Sequence, residues 1–255
     1  MGLAFLLGVA LAWEPVAEDL RGGVVNWTSG ELLVSATGTP HSGSMLTLET
    51  LEDDARSTIG PTMLALARKV RVDGTTTVGD LINREDPLAD ALDDTLSLWD
   101  VQESRYYTSG KVEVDGALLL QDLARPLFRE RAKGSERPGG ATVGAVSGVV
   151  VDARGLGAAP ALLPRLRTAG GEVLYSVETL TQNAATTRGP VAYVADAADP
   201  VAARRAGAQP MWLRATAVAD GCDLVLSEAD AQALKDAAAA SPFLLNGAVV
   251  LVVGP

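Results

Sequence analysis

The 255-residue chain carries a formal net charge of -11, one histidine and one cysteine. An acidic surface repels phosphate backbones, so nucleic acid is not an expected partner, and the lone Cys222 excludes an internal disulfide and a cysteine-built zinc cage. Hydrophobic residues make up 47% and aromatics only 4%, which suits one large or two small globular domains with aliphatic cores.

Residues 2–12 are apolar and uncharged and stop at Trp13-Glu14-Pro15. The run is shorter than the roughly 20 residues a spanning helix needs. It matches the apolar region of a signal peptide, and Ala10-Leu11-Ala12 supplies a small-x-small cleavage pattern. Residues 1–12 are therefore expected to be a signal peptide, although no Lys or Arg precedes Arg21. Export to the periplasm or the outer-membrane surface is the expectation. No cysteine follows the apolar run, so neither a lipid anchor on the protein's own cysteine nor a transmembrane span is expected.

From residue 23 the pattern turns to β. Residues 23–28 and 31–36 form a hairpin across Ser29-Gly30, with Trp27 as a core anchor. His41 sits in a Gly, Pro and Ser loop and reads as a solvated residue rather than a base or ligand. Leu48, Leu51, Ala55, Ile59, Met63, Leu66 and Val70 make one apolar stripe at spacings of three and four. The stripe keeps its phase across Gly60-Pro61, which predicts a single kinked helix. Residues 86–94 read as a short acidic helix. Glu85, Asp86, Asp90, Asp93 and Asp94 lack the alternation and turn glycine of a calcium loop. Residues 101–114 form a strand pair around Ser109-Gly110, and Leu118 to Leu120 continue the β run. Charge, Gly and Pro then concentrate in residues 129–142, read as a linker between an N-terminal domain (13–128) and a C-terminal domain (143–255).

In the second half, a strand from Gly148 enters a turn containing Gly155 and Gly157. A hairpin around Gly170-Gly171 follows, then a strand at 191–194 and an alanine-rich helix over 196–205 with arginines in its last turn. Residues 211–217 and 223–226 are expected to pair around Asp220-Gly221. Ser227 caps a helix that stops before Pro242, and residues 244–253 make a central strand buried on both faces. The fold class is α+β: two small α/β domains, each a largely antiparallel sheet with one or two packed helices.

Glycines 155 and 157 lack the third glycine of a dinucleotide loop and the lysine of a phosphate loop. No Gly-x-Ser-x-Gly elbow accompanies His41, and no carboxylate pair stands out for acid-base work. The carboxylates beside Cys222 disfavour its thiolate, so it reads as structural. No catalytic residue, cofactor or metal is expected. The candidate binding site is Asp152, Arg154, Gly155 and Gly157. Either Asp152 and Arg154 pair while the glycines permit positive φ, or Arg154 and nearby N–H groups hold an anionic group from a glycan or partner.

The string Val151-Asp152-Ala153-Arg154-Gly155-Leu156-Gly157, with residues 23–28, 70–78, 110–114 and 171–175, resembles exported bacterial proteins akin to the FlgP-like flagellar lipoproteins, the twenty-kilodalton lipoprotein-like family. The resemblance implies a periplasmic or outer-membrane-associated protein of two small α/β domains, with no catalytic residues to transfer. The missing anchor cysteine and Gly60-Pro61 depart from it. The function expected is a non-enzymatic envelope structural or assembly protein. It would contact other envelope proteins or itself as a homo-oligomer, in an outer-membrane or flagellar setting. The alternative is a glycan- or small-anion-binding module built on the Arg154 turn.

Overall fold

The computed structural model describes residues 13–38, 47–84, 86–135 and 145–254. The signal-peptide run, His41, Glu85 and the second part of the expected linker lie outside these residues.

The first half is one antiparallel sheet with helices on it. Strands β1 (Ala17–Leu20), β2 (Gly23–Asn26), β3 (Glu31–Gly38), β4 (Asp100–Tyr106) and β5 (Val112–Leu119) run in the order β1-β2-β3-β5-β4. Helix α1 (Leu48–Ala67) begins where the Thr47 side chain accepts from the Thr50 N–H, satisfying a donor the first turn leaves open. It buries Leu51, Ala55, Ile59, Met63 and Leu66 against the sheet. Gly116 in β5 permits this approach, since a Cβ there would lie 2.7 Å from the Ile59 side chain. The helix continues through Pro61 as expected, because Pro61 is on the exposed face, where water can serve the carbonyl that loses its donor. Leu48, the first residue of the apolar stripe, is exposed. Two short helices follow, α2 (Val78–Ile82) and α3 (Pro87–Thr95). The acidic residues of α3 have local duties: Asp86 caps it and Asp93 pairs with Arg68.

Leu120 does not extend the β run. It starts α4 (Leu120–Arg131), which passes through Pro126, so residues 129–131 of the expected linker are the last turn of a helix. Leu123, Ala124, Leu127 and Phe128 form a buried face at helical spacing that the short apolar run at 118–120 masked. Gly134 then makes a parallel bridge with Thr181 of the second half.

The second half contains two four-stranded sheets. Strands β6 (Gly148–Asp152), β9 (Ala192–Val194), β10 (Pro210–Arg214) and β13 (Val249–Val252) lie in the order β10-β6-β13-β9 and are parallel throughout. Strands β7 (Leu166–Thr168), β8 (Val173–Tyr175), β11 (Ala217–Ala219) and β12 (Asp223–Leu226) lie in the order β11-β12-β7-β8, parallel only between β12 and β7. The α+β class holds, but the largely antiparallel sheet expected for this half is corrected to one parallel and one mixed sheet. Helices make the difference: α6 (Pro200–Ala206) carries the chain from β9 to β10 within the parallel sheet, and α7 (Glu228–Ala240) carries it from β12 of the mixed sheet to β13 of the parallel one. Val149–Val151 and the whole of β13 are buried on both faces, the pattern parallel strands require.

Residues 211–217 do not form one arm of a hairpin with 223–226 as expected. Met211 to Leu213 pair with β6, and only Ala217–Ala219 pairs with β12. The chain changes sheets between them, the Ala215 N–H donating to the Asp152 carbonyl and the Thr216 N–H to that of Val225. A seven-residue helix, α5 (Gln182–Arg188), was also missed; it is too short for an apolar period to register.

The halves share one hydrophobic core, which runs from Val25 in β2 to Val253. Leu162 and Leu163 donate their N–H groups to the carbonyls of Arg71 and Val72 at 2.9 and 2.8 Å. Arg71 reaches across to the Pro160 carbonyl and to Glu18. Beside this joint Gly74 lies against the 220–221 turn, where a Cβ would fall 1.5 Å from the Asp220 carbonyl oxygen.

Gly74→Ala is therefore expected to displace that turn and cost about 2 kcal/mol in chemical denaturation. Gly170→Ala, whose Cβ would find its nearest neighbour at 3.6 Å, should be nearly neutral.

Acid should loosen the α1–β4 contact, through Glu52, and the β4–β5 connection, through Glu113. Hydrogen bonds from Tyr106, Ser104 and Arg56 hold the Glu52 carboxyl down from 4.5 to about 2, and Lys111 and Tyr107 do the same for Glu113. Carboxyls depressed in the folded state stabilise it fully above pH 4.5, and that contribution is lost as pH falls towards 2. The double variant Glu52→Gln, Glu113→Gln should show a flatter fall in melting temperature across that window than the parent protein.

Candidate functional site

All four parallel strands end at one edge, which places Asp152, Val194, Arg214 and Val252 side by side. In sheets of this kind ligands bind outside the carboxyl ends of the strands. The expected site residues meet there. The Ala153 N–H donates to Val252, Gly155 to Gly254 and Leu156 back to Ala153, so the turn is pinned to the end of β13. Gly155 and Gly157 have φ of 74° and 70°, and a Cβ at either would meet nothing within 4 Å. Their role is conformational, and neither makes room for a close approach.

Arg154 turns back on its own strand. Its Nε and Nη2 donate to the two Asp152 carboxylate oxygens at 3.0 and 2.7 Å, and its backbone N–H donates to the same carboxylate at 3.1 Å. This pairing, with Arg214 adding to it, holds the Asp152 carboxyl below its ordinary range. Of the two readings the sequence left open, the geometry realises the internal pair. The Asp152 carboxylate stands where an external anion would.

A larger charge network, not singled out from the sequence, lies on the mixed sheet. Asp223 is fully buried and accepts from the Arg165 N–H at 3.0 Å, from Arg165 Nε at 2.7 Å and from Arg167 Nη1 at 3.3 Å. Asp220 takes the outer side of the same arginines. The signal was present: Arg165 and Arg167 are two apart, on one side of a strand, and Asp220 and Asp223 flank a predicted turn. Cys222, buried beside this cluster, has its thiol pushed up to about 12, first by burial and then by Asp223. This agrees with its structural role.

A cleft of about 240 Å³ opens between the halves, with Trp27, Phe128, Leu162 and Tyr193 among its walls. Trp27 is 5% exposed and meets the Tyr193 ring edge-on at 5.8 Å, as a core anchor should. Two arginines complete the lining, Arg188 at the end of α5 and Arg205 in the last turn of α6. They clasp each other's helix ends. Arg205 donates to the carbonyls of Arg188 and Gly189, both at 2.5 Å, and Arg188 donates to that of Arg205 at 3.2 Å. Among the described residues no salt bridge links either guanidinium to a carboxylate. Burial lowers Arg205 to about 10.

The geometry defines the second half as an α+β module in which a parallel and a mixed four-stranded sheet share a core. Residues 148–255 match a family model described as Treponema pallidum Tp0624, second domain. The match starts at the first residue of β6, includes the Asp152–Gly157 turn and both cleft arginines, and covers less than half of the chain. No curated protein matches the chain.

Replacing Arg154 by Ala should move the urea midpoint little, because the guanidinium is solvent-exposed. Asp223→Ala removes the buried partner of Arg165 and Arg167, leaves them only the exposed Asp220, and should cost about 2 kcal/mol or more. Urea midpoints of the two variants test the contrast.

Proposed function

We propose that the protein is a non-enzymatic, envelope-associated structural or assembly protein that works through protein–protein contacts and associates with itself. The observation that carries this reading is the edge strand β10. It pairs with β6 on one side, and among the described residues no strand pairs with its other side. A sheet edge presents unpaired main-chain groups and is a template for another strand. Here it also carries Trp212, 61% exposed and level with Val150 in the register. Tryptophan at such a position is the residue type that most often anchors an interface.

The partner that fits is a second copy. A two-fold axis at Trp212 pairs β10 antiparallel with its copy, stacks the two indoles and joins the parallel sheets into one of eight strands. The contact closes on itself, as isologous interfaces do. The apolar run at 2–12 and the resemblance to exported proteins support an envelope location. No helix among the described residues is long and apolar enough to cross a membrane. Ligand capture by the Arg154 turn is the weaker reading, because that guanidinium is closed on Asp152.

Sedimentation equilibrium should show a concentration-dependent dimer. Trp212→Glu should weaken it about tenfold or more, roughly 1.4 kcal/mol, with the melting temperature unchanged at low concentration. A monomer at every concentration, or a dimer indifferent to Trp212→Glu, rejects the assignment.

A further inference from the structure

We propose that the cleft between the halves binds a small organic carboxylate, its charged end beside Arg188 and Arg205 and its apolar body against Phe128, Leu162 and Tyr193. Three features of the cleft lead to this chemistry. The first is charge. Two guanidiniums line one cavity, and their acceptors are the main-chain carbonyls of residues 188, 189, 205 and 246. Neutral carbonyls at helix ends offset a cation only in part, and Arg188 adds to the burial that disfavours the charged form of Arg205.

The second is an excess of donors. Trp27 and Arg205 both line the cleft, and each has a buried nitrogen, Trp27 Nε1 and Arg205 Nε, without any hydrogen-bond partner, which an occupant reaches only if the lining side chains yield slightly. Both atoms can only donate, and buried donors left unmet are rare enough to need an explanation. An occupant that satisfies them must bring acceptors, and a carboxylate brings acceptors alone together with the missing negative charge. The third is the rest of the lining. The Tyr193 hydroxyl is already committed to the main chain of Ala161, so Tyr193 offers its ring. Phe128 and Leu162 offer only carbon. A bare inorganic anion would make no use of the apolar part of the lining. An uncharged apolar molecule would leave the donors unmet.

The net charge of -11 gives no long-range attraction for an anion. Recognition therefore depends on the local arginine pair, and removing one member should be felt strongly.

The test uses the amide and indole N–H spectrum of the labelled protein, in which the chain's four tryptophans give four indole signals and Trp27→Phe assigns the relevant one. Titration with benzoate should shift the Trp27 signal saturably and leave that of Trp212 in place. Benzamide, equal in shape and uncharged, should bind at least tenfold more weakly, and so should inorganic phosphate. Arg188→Gln alters an exposed side chain, gives up two hydrogen bonds to carbonyls, and should leave the protein folded with at most a small fall in melting temperature while weakening benzoate at least tenfold. Three results would overturn the proposal: a Trp27 signal unmoved by millimolar benzoate, equal affinity for benzoate and benzamide, or equal affinity for benzoate and phosphate. Unaltered benzoate binding by folded Arg188→Gln would do the same.

Discussion

Two backbone hydrogen bonds, from Leu162 to Arg71 and from Leu163 to Val72, join segments more than eighty residues apart, and much of the rest depends on them. They bring the chain leaving the Gly155–Gly157 turn against the segment that follows α1 in the first half. From there the core runs without a break from the α1 face through Leu162 and Leu163 to β6 and β13. Side chains alone would allow the halves to slide. Main-chain pairing sets a register, and Gly74 against Asp220 leaves no space for another. The cleft beside Trp27 and Tyr193 exists because this joint fixes the distance between the halves.

The protein disposes of its charges in three ways, which differ in the role they leave for each group. Asp152 and Arg154 neutralise each other at the surface, two residues apart, and fix a turn. Asp223 is fully buried and compensated by two arginines and a main-chain N–H, the degree of pairing a desolvated carboxylate needs. Arg188 and Arg205 are met by carbonyls, and donors remain over at the same cavity. Only this third arrangement leaves both a charge and a hydrogen-bonding capacity for something else. The turn that looked chemical in the sequence is thus the more self-contained place, and the unmet donors belong to residues of the cleft instead.

Much of the architecture was legible. The α1 stripe, the 23–36 and 101–114 hairpins, the capped α7 and the buried central β13 follow from local periodicity, turn residues and caps, which act within a few residues of themselves. What misled was equally local. Leu118 to Leu120 look like strand, yet β5 ends at Leu119 and α4 starts at Leu120. Residues 211–217 look like half of a hairpin, yet they split between two sheets because Ala215 is held by Asp152 and Thr216 by Val225. Neither outcome is encoded in the residues that undergo it.

The sequence by itself determined the α+β class, the aliphatic core and the unfavourable setting of the Cys222 thiolate, all of which rest on composition or on neighbours in the chain. For Asp152 and Arg154 it left two arrangements open, and the structure realised the internal pair. Strand direction in the second half, the shared core and the meeting of Arg188 with Arg205 were decided only in the tertiary structure. The physical reason is range: a period or a cap is settled by contacts a few residues long. A parallel crossover, a cavity wall and an unpartnered donor depend instead on which distant segments arrive together.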